Sequence, residues 1–310
     1  MVSEPPRPRS MSTSRTATIP VERPAARLAP FIPENTLMDL LPPFTITSAS
    51  LIGARSVNQD AFSWAIHGDP TSTGYLVAAV ADGMGSRPGS ELVARAAVDA
   101  AVAIGAALEY QSDPVHLIHL AGVAVGAFAE YAQRKDIFYA FADGENNPDT
   151  TLVVATIGHD REVQIGWIGD SRAYLRITDG RLIPLTHDHN LGHIGHPHVL
   201  TRTLRHLDEG PEHAAWHPSR RREFTPRQIL LTTDGIHDVL TDEVIAYALS
   251  TARTPGRAVA WLTQWAVRAA GTHADNATAV LITIADNLSG SPAPRSRLPR
   301  VDCRGPRTNW

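Results

Sequence analysis

The chain has 310 residues, 43% of them hydrophobic and 19% charged, which gives enough apolar material for a sizeable core and too little charge for an intrinsically disordered protein. Its apolar runs read as about ten residues or fewer, against the roughly 20 needed to cross a bilayer, so no membrane span is expected. The single cysteine, Cys303, excludes a disulfide scaffold and fits a reducing compartment, and the first 30 residues carry no apolar leader, so the expected location is cytoplasmic.

In chain order, residues 1–46 hold nine of the 23 prolines and read as a disordered Pro/Arg-rich tail; residues 286–310 hold four more and read as a second such tail. The folded domain is expected over 47–285. That core carries 18 basic against 26 acidic residues, a net of −8, whereas the last 25 residues carry +3. An acidic core argues against a nucleic-acid partner and suits either a cation site or an ordinary solvated surface. Lys135 is the only lysine, a bias that reads as codon usage before function.

Strands are expected at Phe44–Ile52, Ala61–Ile66, Tyr75–Val80, Leu152–Ile157, Val163–Ile168, Arg172–Ile177, Ile229–Thr233 and Ala277–Ile284, all short β-branched or alternating runs. Asp179-Gly180 marks a hairpin from Arg172–Ile177 into Arg181–Leu185. Helices are expected at Ser90–Tyr110, Pro114–Lys135, Asp242–Ser250 and Pro255–Ala270, with Asp113-Pro114 and Thr254-Pro255 as start signals. Helices paired between runs of antiparallel strands point to an α+β layered sandwich rather than a parallel βαβ sheet.

Four acidic positions share one context, a carboxylate at the end of an apolar strand beside Gly or Asn: Asp60, Asp82, Asp234 and Asp275. Taken singly, each Asp-Gly reads as a turn. Strand ends, however, bring short side chains to a sheet rim, and several carboxylates gathered there repel one another unless a cation neutralises them. An all-oxygen ligand set suits Mg2+ or Mn2+ rather than Zn2+.

The order of the motifs adds to this. Arg55-Ser-Val-Asn58-Gln59-Asp60, Ala81-Asp82-Gly83-Met84-Gly85, Thr150-Thr151, Gly169-Asp170-Ser171-Arg172, Leu185-Thr186-His187-Asp188-His189, Thr233-Asp234-Gly235-Ile236-His237-Asp238 and Asp275-Asn276 span residues 47–285. In this order they resemble the protein phosphatase 2C family of metal-dependent serine/threonine phosphatases, its bacterial branch in particular. The resemblance implies a four-layer α-β-β-α sandwich, with two central antiparallel sheets flanked by helix pairs.

Carried over position by position, the resemblance makes Asp82 a carboxylate bridging two Mn2+ or Mg2+ ions and Gly83 a backbone-carbonyl ligand, with Asp234 and Asp275 completing the first ion's ligands. Asp60 also matches a metal-site position. A water between the ions would become the nucleophile on phosphorus, and Arg55 matches the family's phosphate-binding arginine, whose planar fork suits two phosphate oxygens; a surface salt bridge is the plainer role for that side chain. Asp170, Asp188 and His189 read as framework, with Asp170 on backbone amides and paired with Arg172.

Departures from the family pattern accompany the match. Gln59 stands where relatives carry a glutamate ligand for the second ion, so a weaker site is expected. Met84 replaces a histidine that serves eukaryotic relatives as a candidate general acid. The segment between Asn190 and His196 is shorter than the flap of relatives. Five histidines, at 187, 189, 193, 196 and 198, crowd it with spacings that suit a transition metal, but no cysteine or defined helix preorganises them. Relatives hold a third ion with an aspartate near Asn146; here either Asp149 takes over that role or its carboxylate caps the turn. The preferred reading is hydrolysis of phosphoserine and phosphothreonine in proteins, with phosphorylated proteins and their kinases as partners. The alternative is a non-catalytic relative that keeps the fold and binds a phosphoprotein.

Overall fold

A computed structural model describes residues 44–68, 74–84, 87–108, 111–134, 147–206, 210–217 and 225–285. Most of the two tail stretches, Asn146 and the Gly85-Ser86 pair lie outside the described residues. The first sheet takes the order β1 (Phe44–Leu51), β12 (Ala277–Ile284), β11 (Pro226–Thr232), β6 (Arg172–Ile177), β7 (Leu182–Pro184), every neighbour antiparallel. The second takes β10 (Glu212–Trp216), β5 (Val163–Ile168), β4 (Leu152–Gly158), β3 (Tyr75–Asp82), β2 (Asp60–His67), again antiparallel throughout.

Strand β3 shows why the sheets stack. Leu76, Ala78 and Val80 face the other sheet and meet Leu175, Ile229 and Ile282, while Tyr75, Val77, Ala79 and Ala81 face α1 (Ser90–Ala107) and α2 (Pro114–Arg134). Period-two alternation therefore feeds two apolar layers at once, so the strand reads as continuously hydrophobic. On the far side, Tyr174, Leu230 and Leu281 pack under α4 (Asp242–Thr251) and α5 (Pro255–Ala270). This is the expected α-β-β-α sandwich. Each fully buried Val, Leu or Ile contributes about 1.5–3 kcal/mol of transfer free energy.

Two expectations shift. Helix α1 stops at Ala107, with Leu108 extended, because the Tyr75 hydroxyl reaches the carbonyls of Gly105 and Leu108 at the helix end. Helix α2 is, over Pro114–Ala132, long and apolar enough by composition to cross a membrane; here one face of it, with Leu117, Ile118, Ala121 and Val125 fully buried, packs into the layer shared with α1 and the second sheet. Strand β10 was not expected, since Glu212-His213-Ala214-Ala215-Trp216 carries little strand preference. Its pairing with β5, Glu212 opposite Trp167, supplies the ladder. The short β8 (Asn190–Leu191), β9 (His196–Leu200) hairpin and the one-turn helix α3 (Asp234–His237) are likewise set by tertiary contacts.

Candidate metal centre

One end of the sandwich collects the carboxylates from both sheets. Asp60 opens β2 and Asp82 closes β3, and antiparallel register places them directly opposite each other. Asp234 follows β11 at the start of α3, and Asp275 precedes β12. The two sheets are tied here by Thr233, whose hydroxyl donates to Asp60 Oδ2 at 2.9 Å and accepts the Thr278 amide at 3.0 Å. Asn276 ties the loop before β2: its Oδ1 accepts the Gln59 amide at 2.8 Å, and its Nδ2 donates to the Ile52 and Val57 carbonyls at 2.8 and 3.1 Å. That clamp holds the loop carrying Arg55, whose Nη2 stands 2.5 Å from Asp275 Oδ2.

Electrostatics shows what the cluster lacks. Burial, followed by the charges of Asp234 and Asp275, pushes Asp60 up to about 7 despite hydroxyl hydrogen bonds from Thr278 and Thr233. Burial and then Asp234 raise Asp82 well above the carboxylate range, and Asp234 is also raised, by burial first, while sharing a hydrogen bond with Asp82. Two carboxylates about 4 Å apart repel by about 4 kcal/mol at an effective dielectric near 20, so such a pair must share a proton or bind a cation. Two buried oxygens, Asp60 Oδ1 and Asp234 Oδ1, have no hydrogen-bond partner among the described residues. Orphaned carboxylate oxygens in a carboxylate-rich cluster, with the Arg55 guanidinium paired to it and His198 close to Asp234 and Asp238, fit a site for hard divalent ions.

The other expected residues fall as follows. Gly83 follows Asp82, and a Cβ there would stand 2.7 Å from the Ser90 carbonyl oxygen, so close backbone approach alone requires glycine. Gln59 is buried beside the cluster, its side-chain Nε2 donating to the Arg87 carbonyl at 3.2 Å. Asp149 is buried and its carboxylate is taken up by protein donors: Oδ1 accepts the Thr150 and Arg205 amides at 2.8 and 3.1 Å, and Oδ2 accepts the Thr203 hydroxyl at 2.6 Å and faces His206 Nδ1 at 3.0 Å. Those contacts favour the turn-capping role over a metal-ligand one.

The pairing expected between Arg172 and Asp170 is corrected. Arg172 forms a bidentate fork on Asp188, Nε to Oδ1 at 2.7 Å and Nη2 to Oδ2 at 2.6 Å, because the Asp188 segment runs beside the start of β6 while Asp170 turns toward the cluster. Asp170 is accordingly raised to about 8 by burial and by Asp234, Asp188 and Asp238. The five histidines do not gather at one point: His187 and His189 meet on Glu212 at 3.2 and 3.3 Å, and His198 stands apart from them, 3.6 Å from Asp238. Sequence reasoning missed Asp238, four residues after Asp234 and pushed up to about 6 by burial and Asp234. Its signal was the Asp-x-x-x-Asp spacing, which one helical turn brings to a common face.

The sequence profile of the family Protein phosphatase 2C matches residues 48–280, so the chain belongs to that family. Among solved structures, a bacterial serine phosphatase matches with TM-score 0.62 at 22% identity, over 79% of this chain and 99% of that one. The serine/threonine phosphatase Stp1 from Staphylococcus aureus matches with TM-score 0.62 at 22% identity, over 78% and 95%. The catalytic domain of the serine threonine protein phosphatase PstP in complex with 2 manganese ions matches with TM-score 0.60 at 23% identity, over 78% and 99%. No curated protein matches the chain.

Proposed function

We propose that the chain is a Mn2+- or Mg2+-dependent phosphatase that hydrolyses phosphoserine and phosphothreonine in proteins, opposing cellular serine/threonine kinases. The observation that carries this is the meeting of Asp60, Asp82, Asp234 and Asp275 at one end of the sandwich, with orphaned buried oxygens and a half-exposed guanidinium at their edge. Asp82, Asp234, Asp275 and the Gly83 carbonyl would hold two ions, with Asp60 and Gln59 beside them, and the Asp149 contacts support a turn-capping role for that carboxylate. Bound there, the ions would activate a water and neutralise phosphoryl charge. Arg55 would exchange its Asp275 partner for two phosphate oxygens, orienting the monoester for in-line attack. Thr233 and Asn276 fix the carboxylates and the Arg55 loop, so the charges are placed before substrate arrives.

Met84 offers no proton at the position where a histidine would serve, so the leaving alkoxide takes its proton from solvent. The folded domain over 47–285 would act in the cytoplasm as a soluble unit, without nucleic acid and without a membrane span. Phosphate release from a phosphothreonine peptide in the presence of Mn2+ tests the reading. Release at a rate well above that of the Asp234→Asn variant supports it. Binding of the peptide without release would establish a non-catalytic phosphoprotein binder instead.

A further inference from the structure

A side-chain hub that the metal centre does not use lies behind it. His189 is 3% exposed, and its Nδ1 accepts the Gly169 amide at 3.1 Å. In a neutral imidazole with Nδ1 accepting, the hydrogen sits on Nε2. That nitrogen is 3.3 Å from Glu212 Oε1, which also accepts Arg202 Nη1 at 2.7 Å, while Glu212 Oε2 faces His187 Nε2 at 3.2 Å. Burial, and then the neighbouring Arg202, hold the His189 ring neutral, its pKa lowered to about 4. With Nδ1 occupied, Nε2 protonated and the Arg202 guanidinium 3.5 Å from it, the ring has no lone pair for a cation. His187, His189 and Glu212 lie close together, but in this tautomer the His189 ring acts on backbone.

What it grips is the corner between β5 and β6. Gly169 has φ +98°, and a Cβ there would stand 2.5 Å from Thr151 Cγ2, so Thr151 presses on the corner from one side while His189 holds its amide from the other. The next residue, Asp170, is 7% exposed and adds its charge to the field at Asp82. The His189 carbonyl also accepts the Thr201 amide at 2.8 Å, which fixes the end of the β8–β9 hairpin.

We propose that Glu212 and His189 are a positioning pair that holds Asp170 against the metal-binding carboxylates through the Gly169 amide. This rests on the metal-dependent phosphatase reading given above. The His189 amide already donates to the Gly169 carbonyl at 3.1 Å; Glu212 fixes the tautomer, the tautomer makes Nδ1 an acceptor, and the acceptor closes the second bond on the corner. Outer partners of this kind change metal affinity or activity by about 10–100-fold when removed.

Two amides separate positioning from packing. In His189→Asn the side-chain oxygen takes roughly the place of Nδ1 and still accepts from Gly169. In His189→Gln the amide reaches the place of Nε2, keeps Glu212 and leaves the Gly169 amide without an acceptor. Mn2+ binding to the full chain by titration calorimetry, with kcat and KM for an aryl phosphate, should show His189→Gln weakened about 10–100-fold in Mn2+ affinity, with kcat lowered and KM little changed. His189→Asn should stay within about threefold of wild type. Packing alone gives the opposite order, because Gln fills more of the ring's volume. Equal Mn2+ affinities in the two variants, or a weaker Asn, overturn the proposal. If neither variant folds, Glu212→Ala against Glu212→Gln decides: weaker Mn2+ binding in the Ala variant alone supports the pair, and equal binding overturns it. A wild-type chain that binds no Mn2+ removes the phosphatase reading as well, so the two failures are distinguishable.

Discussion

The Thr233 hydroxyl, on the strand end that leads into Asp234, donates to Asp60 Oδ2 at 2.9 Å, so one short side chain joins the metal-facing rims of the two sheets. Residues 173 positions apart thereby share one electrostatic site, and the cost of gathering their charges falls on the metal-free state. That cost sets how the protein should respond to pH.

Without metal, Asp60 is pushed up to about 7 and Asp170 to about 8, both chiefly by burial. A carboxyl whose folded pKa lies above its unfolded one holds its proton longer when folded, so stability falls as pH rises toward the folded value. His189 and His237 are lowered to about 4 and 3 by burial and act in the opposite sense, but only below about 6.5, where the unfolded imidazole titrates. From pH 6.5 to 8 the carboxyls act alone. In EDTA, Tm should fall across that window, and 1 kcal/mol corresponds to about 2–4 °C in a domain of this size. Saturating Mn2+ should raise Tm and flatten the slope. Thermal melts at pH 6.5, 7.2 and 8.0 check this; a Tm that rises with pH in EDTA contradicts it.

Asp149 separates a structural carboxylate from a metal-binding one. Its oxygens hold the Thr203–His206 turn through three contacts and the Thr150 amide through a fourth, so Asp149→Ala leaves buried donors unpaired and should cost about 2–4 kcal/mol. The Mn2+ concentration for half-maximal rate, measured below the variant's Tm, should match wild type. A marked rise in that requirement with Tm unchanged would show that Asp149 reaches a metal.

Arg172 and Asp188 form a half-buried bidentate pair, 26% and 18% exposed. Removing one partner of a fully buried pair costs about 3–5 kcal/mol, and partial exposure reduces this to about 2–3. Asp188→Asn keeps one acceptor and should lose less than Asp188→Ala. Chemical denaturation of both variants measures the order, and a more stable Ala variant would contradict the fork.

Removing residues 1–40 together with 290–310 should leave both the rate and Tm within error of the full chain. Loss of either would mean that a tail packs on the folded domain.

The sequence made the architecture legible because period-two and helical patterns here agree with burial on both faces of each sheet. Asp82 and Asp234 stood out because an apolar strand delivers each to a Gly at a rim. Strand β10 was hidden, since only its ladder with β5 makes Glu212 a strand residue, and with it the Glu212–His189 contact. The true partner of Arg172 was equally hidden: Asp170 is two residues away and Asp188 sixteen, and spatial direction rather than spacing chooses between them. The clustering of histidines along the chain said little about a shared ligand: His187 and His189, two residues apart, fall on the same side and meet Glu212, whereas His198 faces Asp238.

The central claim is that the gathered carboxylates bind divalent ions that hydrolysis requires. Its most direct test is release of the phenolate from a generic aryl phosphate by the full chain, with Mn2+, with EDTA, and with Asp82→Asn. Turnover is expected with Mn2+, none in EDTA, and a loss of more than about 100-fold in Asp82→Asn, the scale of removing a preorganised charge from the transition state. Turnover that persists in EDTA, or survives Asp82→Asn, would contradict it.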